Sequence, residues 1–186
     1  MSSLERCLSE QPVRPPTAAE MRALGHPTRL RIIRLCREVA LTNQELADRL
    51  DLAPATVLRH VRTLLARGFL SAEEVRNGQR GALERPYRST GLSTLLAWDA
   101  AEAPELLQQV EIAMLHAHRA ELLEAGPDAI RDRLRYTLRL AARSQLELRQ
   151  RLRSLLAEFA ELDEPAGEPL SLLWLLHASP DRPGET

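Results

Sequence analysis

The spacing of apolar residues predicts two helices joined by a tight turn between residues 42 and 70. At the start of the first, Thr42 and Glu45 are spaced as a capping box, in which each side chain accepts a hydrogen bond from the other residue's backbone N–H. The second carries an apolar stripe at i, i+4 and i+7: Val57, Val61 and Leu64. Asp51 lies where the chain must turn, and aspartate tolerates a left-handed conformation better than most residues. The second helix is therefore expected to begin near Pro54, which suits a first helical turn.

The opposite side of this second helix is predicted to face solvent. Its side chains are small, hydroxyl-bearing or cationic: Ala55, Thr56, Arg59, Arg62 and Thr63. A DNA major groove accepts side chains of this size and hydrogen-bonding character. The pattern therefore favours contact with base edges or phosphates along this face.

A β-hairpin is predicted directly after the second helix. Gly68 is expected to end the helix, Phe69 to Arg76 to form a strand, and Leu83 to Thr90 to form its antiparallel partner. Residues 77–81 contain two glycines and are the expected tip. Three arginines lie on or near the hairpin: Arg76, Arg80 and Arg85. Such a basic hairpin suits contact with phosphates or the minor groove, and a solvated charged turn is the alternative.

Three segments, taken in this order, resemble the winged helix-turn-helix of ArsR-like bacterial transcription regulators. They are LGHPTRLRII (24–33), TNQELADRLDLAPATVLRHVRTLLARGFL (42–70) and ERPYRST (84–90). The resemblance extends over residues 17–92, about two fifths of the chain. It implies a homodimer that reads a two-fold-related operator with the helix at 54–67. It also implies that the helix after the wing forms the dimer interface.

Several positions near the two helices refine this expectation. Asn43 and Gln44, at the start of the first helix, are placed to bind phosphate. Ala53 stands where relatives often have a Ser-like cap, which predicts a helix start weaker by ~1 kcal/mol. Leu58 is commonly polar in relatives, and here it either contacts a thymine methyl or packs inward. His60 matches the family's usual histidine and suits either a structural hydrogen bond or DNA contact.

Beyond the wing, the apolar period predicts further helices and two strands. Helices are expected at 92–101, 105–125 and 141–162, and strands at 133–140 and 170–177. The strand at 133–140, the helix at 141–162 and the strand at 170–177 would form a small strand-helix-strand unit. The chain would then have a mainly α fold with a small β part (α+β). One long helix over 129–162 is the competing interpretation.

The predicted organisation has four parts. A flexible tail at 1–16 precedes a DNA-binding domain at 17–91. A dimerisation and possible effector region follows at 92–178, and residues 179–186 form a second flexible tail.

Net charge −1 combines a basic half and an acidic half. Residues 14–90 contain 14 Arg against 8 Asp and Glu, whereas residues 91–186 contain 10 Arg against 16 Asp and Glu. Only the first half is therefore expected to contact a polyanion, although chance scatter of charge is the alternative. The N-terminal residues lack a hydrophobic signal core and no apolar run is long enough to span a membrane, so we expect a cytoplasmic protein.

Metal binding and catalysis find little support in the pattern. His116 and His118 are two residues apart, about 200° around a helix, so they cannot chelate one ion together. His118 and Glu121 alone would supply too few ligands for a zinc site. No motif of an enzyme or cofactor site is present. We therefore expect no metal, no cofactor and no catalysis.

The second half contains residues that suit a small-molecule effector site. Trp98 and Trp174 are amphipathic and suit the lining of an apolar pocket, although ordinary core positions are the alternative. Arg135 shares one face of the predicted strand with Arg133 and Arg139, where an anion or simply water would meet it.

The sequence therefore predicts a DNA-binding transcriptional regulator. Two other functions remain open. One is a winged-helix protein-interaction module that does not read DNA, with the acidic half as its working surface. The other is a metal-sensing repressor.

Overall fold

The computed structural model describes residues 14–77, 83–98, 102–164 and 166–179. They fall into two compact units, one ending at Gly126 and the other beginning at Pro127. No described helix is both long and apolar enough to cross a membrane.

The first unit contains helices and a small antiparallel hairpin. Its helices are α1 (Ala18–Leu24), α2 (Pro27–Glu38), α3 (Asn43–Leu50), α4 (Pro54–Ala66), α5 (Leu92–Leu95) and α6 (Pro104–Ala125). Its strands are β1 (Leu70–Ala72), β2 (Arg76–Asn77), β3 (Leu83–Glu84) and β4 (Tyr87–Ser89). The predicted helices at 54–67 and 105–125 are confirmed, whereas the helix expected at 92–101 stops at Leu95.

The capping box predicted at the start of α3 is present. The backbone N–H of Glu45 donates to Thr42 Oγ1 at 3.2 Å, and the backbone N–H of Thr42 donates to Glu45 Oε2 at 2.7 Å. Two N–H groups that the helix leaves without partners are thereby satisfied. Thr17 and Glu20 form the same arrangement at the start of α1.

The turn between α3 and α4 has the predicted left-handed residue. Asp51 has φ 52° and ψ 50°, and its backbone N–H donates to the carbonyl of Ala47. Pro54 occupies the first turn of α4, and Ala53 supplies no capping hydrogen bond from its side chain. Gly68 has φ 73° just beyond the end of α4, as its predicted role as the terminating glycine requires.

The core of the first unit is built mainly from α1, α2, α3 and α4. The predicted stripe of α4 is fully buried: Val57, Val61 and Leu64 are each 0 % exposed. Val110 brings α6 into the same cluster. Two ion pairs also join α2 to α6, one between Arg31 and Glu124 and the other between Arg34 and Glu121. Helix α6 is therefore an integral part of this unit.

The predicted hairpin is confirmed as two short ladders. β1 pairs with β4 in the register Leu70 to Ser89, and β2 pairs with β3 in the register Arg76 to Glu84. Leu41 forms an antiparallel bridge to β4. Its N–H donates to the carbonyl of Tyr87 at 3.0 Å, and its carbonyl accepts from the N–H of Tyr87 at 2.8 Å. The predicted tip lies mostly outside the described residues. Helices α3 and α4 with this hairpin form a winged helix-turn-helix.

Residues 14–16, expected within the flexible N-terminal tail, are held by contacts. The carbonyl of Arg14 accepts a hydrogen bond from Ala97 N at 2.8 Å, and its guanidinium lies 2.6 Å from Glu20. That guanidinium, chiefly, lowers the pKa of Glu20 to about 2. The segment before α1 is thereby attached to the chain that follows α5.

The second unit contains a 3₁₀ turn at Pro127–Ala129 and helix α7 at Ala142–Ala160. The helix predicted at 141–162 is confirmed. The strands predicted at 133–140 and 170–177 are wrong, because neither segment has regular secondary structure, and the competing single helix over 129–162 is wrong as well. A strand is stabilised by a hydrogen-bonded neighbour, and in the described part of this unit neither segment pairs with one. The chain is mainly helical with a small β part, as predicted, but the β part is the wing.

Candidate nucleic-acid interface

The solvent face of α4 carries the side chains that the sequence assigned to it. Ala55, Arg59 and Arg62 are exposed, and Thr56 and Thr63 are half-buried. The Thr63 hydroxyl donates to the carbonyl of Arg59 at 3.1 Å, so part of its hydrogen-bonding capacity is used within the helix. The two arginine side chains project from the side opposite the buried stripe and present cationic donors to solvent.

His60 differs from the other predicted contacts because it is buried. It is 7 % exposed, and its ring centroid lies 4.5 Å from that of His26. Burial, followed by the charges of His26, Arg29 and Arg59, lowers the pKa of His60 to about 4. His60 is therefore neutral at pH 7 and packs α4 against the start of α2 instead of joining the exposed face.

His26 itself has a structural role that was not predicted from the sequence. Its Nδ1 accepts a hydrogen bond from the backbone N–H of Thr28 at 3.2 Å and caps α2. This bond needs an unprotonated Nδ1. A polar residue directly before Pro27 was the available signal, because proline favours the first turn of a helix.

Asn43 and Gln44 lie at the start of α3, as predicted, but they differ in availability. The Asn43 amide donates to the carbonyl of Pro54 at 3.0 Å and ties the start of α3 to the start of α4. Gln44 is exposed, and its amide donates to Asp48 at 2.8 Å along the helix surface. Asn43 therefore orients the two helices, and Gln44 is the more accessible of the two.

The wing arginines are in different electrostatic environments. One Arg76 nitrogen lies 2.9 and 3.1 Å from the two carboxylate oxygens of Glu45, and another lies 3.8 Å from Glu84. Arg85 is exposed and lines a shallow cleft with the start of α3. Arg80 lies outside the described residues. Arg76, expected to contact phosphate, is thus already paired with carboxylates.

The predicted effector residues lie in different units. Trp98 is half-buried against the core of the first unit, and its indole N–H donates to the carbonyl of Ser93 at 3.2 Å. Trp174 is 47 % exposed and belongs to the second unit. Arg135 is exposed in a segment without regular structure, so no strand aligns it with Arg133 and Arg139. Trp98 therefore packs against the core, which was the alternative to lining an effector pocket.

Within the described ranges, no group of three or more His, Cys, Asp or Glu side chains is placed to hold a metal ion. On α6, His116 is exposed and His118 is half-buried.

Residues 24–71 match the family model of a helix-turn-helix domain. No curated protein matches the chain. Among solved structures, reduced HlyU from Vibrio cholerae is 19 % identical, with 55 % of this chain and 84 % of that chain covered and a TM-score of 0.34. A cysteine-to-serine mutant of ZitR from Lactococcus lactis is 15 % identical, covers 71 % and 73 % and has a TM-score of 0.33. The adhesin competence repressor AdcR from Streptococcus pyogenes is 16 % identical, covers 85 % and 89 % and has a TM-score of 0.32.

Proposed function

We propose that this protein is a DNA-binding transcriptional regulator, with α4 as the helix that enters the major groove. The observation that carries the proposal is the exposed pair Arg59 and Arg62 on the side of α4 opposite its buried stripe. Guanidinium groups reach guanine edges and phosphates from such a helix. Ala55 at the start of the helix leaves room for close approach to the bases.

The surroundings of α4 favour the same function. Residues 14–90 carry an excess of six Arg over acidic residues, so the winged unit attracts a polyanion. Gln44 and the start of α3 are accessible for phosphate contact, and Arg85 adds an exposed charge on the wing. Arg76 contributes less, because Glu45 balances its charge.

The regulator is proposed to act as a homodimer on a two-fold-related operator. Each α4 would then enter one major groove, about one helical turn from the other. Helix α6 retains exposed apolar side chains at Ile112, Leu115, Leu122 and Leu123, which suit the interface that the ArsR-like resemblance implies. The second unit is the proposed place for any effector response.

A protein-interaction module is the second candidate. It is favoured by the large apolar side chains that the second unit exposes, including Leu134 at 77 % and Leu170 at 74 %. Failure to select any DNA sequence would favour this candidate.

Selection from a random-sequence DNA pool tests the proposal without a known operator. The unmodified chain should enrich a two-fold-related sequence within a few rounds. Arg59→Ala should lose that enrichment or change the preferred base at one position in each half-site. Arg22→Ala, an exposed arginine on α1, is the matched control and should enrich the same sequence. No enrichment by the unmodified chain would count against sequence reading.

A further inference from the structure

Helix α7 of the second unit carries an apolar seam in which Leu148 and Leu152 are half-buried and Leu155 and Phe159 are exposed. Leu148, Leu152, Leu155 and Phe159 follow one another at spacings of four, three and four residues, the a and d positions of a heptad repeat. No residue of α7 is buried. Leu155 is 48 % exposed and Phe159 is 64 % exposed. A seam with this spacing is the pattern of a helix that packs along another helix.

The charges along the second unit are segregated. Residues 131–153 contain eight Arg and two acidic residues, whereas residues 154–168 contain five acidic residues and no Arg. Positive charge towards the start of a helix and negative charge towards its end oppose the helix macrodipole, so this order does not stabilise α7 itself. An antiparallel helix of the same sequence would place each basic half beside an acidic half.

We propose that α7 pairs with α7 of a second copy of this chain, antiparallel and about a two-fold axis near residues 153 and 154. In this register Leu148 faces Phe159 of the second copy, and Leu152 faces Leu155 of the second copy. Beside the seam, Arg151 meets Glu158 of the second copy, and symmetry makes each of these contacts twice.

The seam's flanking charges can make this contact at low cost. Arg151 lies 2.6 Å from Glu147 one turn earlier, but the two side chains are 78 % and 52 % exposed. An exposed pair of this kind contributes little to stability. Replacing the Arg151–Glu147 pair by a contact between Arg151 and Glu158 of the second copy therefore costs little stability.

The second unit as a whole exposes more apolar surface than one partner buries in a standard dimer interface. Fourteen large apolar side chains of residues 127–179 are each between 37 and 77 % exposed. At roughly 100 Å² of exposed surface each, they exceed the ~800 Å² that each partner buries in a standard interface. Four of these side chains lie on α7: Leu146, Leu155, Leu156 and Phe159. A second copy is the occupant whose charge order complements α7 along its whole length.

This pairing does not depend on whether the winged helix reads DNA, so the experiment uses DNA-free protein. The full chain carries Cys7→Ser and a spin label at Ser154→Cys or, in a second sample, at Arg143→Cys. Cys36 is 0 % exposed, and burial raises the pKa of its thiol to about 12, so it does not compete for the label. Dipolar electron spin resonance measures the distance between the two copies.

The antiparallel register predicts a large difference between the two label positions. Labels at 154 lie nearly opposite each other, whereas labels at 143 are separated by about 20 residues of helix axis, roughly 30 Å more. Dilution with unlabelled chain should remove both signals. Equal distances at the two positions would indicate parallel helices and overturn the register, and the absence of any intermolecular distance would overturn the pairing itself.

Two matched variants show whether pairing depends on the seam itself or on any exposed leucine of α7. Leu155 and Leu146 are 48 and 49 % exposed in the chain, but only Leu155 lies in the seam. Leu155→Glu should therefore abolish the 154–154 distance, and Leu146→Glu should leave it unchanged. Equal effects of both variants would contradict the proposed seam.

A charge exchange tests the predicted neighbours. Arg151→Glu alone or Glu158→Arg alone places like charges together twice in the dimer, and each should weaken α7 pairing at least tenfold. The double variant restores opposite charges and should recover the unmodified affinity. Lack of effect from the single variants, or lack of recovery in the double, would overturn the contact between Arg151 and Glu158.

Discussion

The guanidinium of Arg76 in the wing lies 2.9 Å from the carboxylate of Glu45, the residue that completes the cap of α3. The same carboxylate accepts the backbone N–H of Thr42 at 2.7 Å. The Thr42 backbone, followed by the Thr42 hydroxyl and Arg76, lowers the pKa of Glu45. One side chain thus caps the helix-turn-helix and joins it to the wing.

This contact predicts that the wing and α4 arginines contribute unequally to DNA binding. Arg59→Ala should cost about 1–3 kcal/mol of specific binding free energy. Arg76→Ala should cost less than ~1 kcal/mol, because Glu45 already balances its charge and the pair is partly exposed. Fluorescence anisotropy with one operator at one salt concentration compares them. A larger loss for Arg76→Ala than for Arg59→Ala would contradict the assignment.

The capping box of α3 predicts a loss of stability for Thr42→Ala. The substitution removes the hydroxyl that accepts the N–H of Glu45 at 3.2 Å, and this site is buried. The free energy of unfolding should fall by about 1 kcal/mol, within a range of roughly 0.5–2 kcal/mol. Urea denaturation followed by circular dichroism measures the change. An unchanged midpoint would mean that the cap does not stabilise α3.

The unfilled cap of α4 predicts a gain of stability for Ala53→Ser. Ala53 already has the extended backbone of a capping residue, with φ −59° and ψ 135°, but it has no side-chain acceptor. A serine hydroxyl there should raise the free energy of unfolding by roughly 0.5–1 kcal/mol. Ala55→Ser, two residues later and exposed, is the control and should give no such gain. Equal changes in the two variants would exclude capping as the cause.

Burial of His60 predicts that stability falls in mild acid. The folded state keeps this histidine neutral down to its pKa of about 4, whereas the unfolded chain binds the proton below about 6.5. The unfolded state therefore holds more protons between those values. The contribution of His60 is complete above about 6.5 and is lost as the pH falls towards 4, by roughly 1–2 kcal/mol between pH 7 and pH 5.

His60→Phe should reduce this pH dependence, since one buried titrating group is removed while His26, whose pKa is also lowered by burial, remains. His116→Gln changes an exposed histidine on α6 and should preserve the unmodified profile. Thermal unfolding across pH 5–7 compares the three chains. A profile for His60→Phe that is as steep as that of the unmodified chain would refute the assignment.

Local chemistry made much of the winged unit predictable. The capping box of α3, the left-handed Asp51 and the buried stripe of α4 each depend on residues within a few positions of one another. The exposed arginines of α4 followed from the same periodicity. Contacts between distant residues had no such signal, and both the Arg76–Glu45 pair and the His26–His60 contact depend on how the helices and wing pack.

The strands expected at 133–140 and 170–177 failed for a related reason. Alternation at 133–140 and a short apolar run at 170–177 are typical of strands, but a strand also needs a hydrogen-bonded neighbour. No neighbour pairs with either segment in the described part of the second unit. Helix α7 was predictable because its hydrogen bonds are internal.

A salt-controlled binding titration shows whether α4 reads DNA sequence. DNA from upstream of the protein's own gene, or the selected sequence, is compared with scrambled DNA of equal length. We predict binding to the specific sequence that is tighter by a factor of roughly 10³ or more. Equal affinity for the selected and scrambled sequences, with the same salt dependence, would contradict sequence reading and leave only attraction between charges.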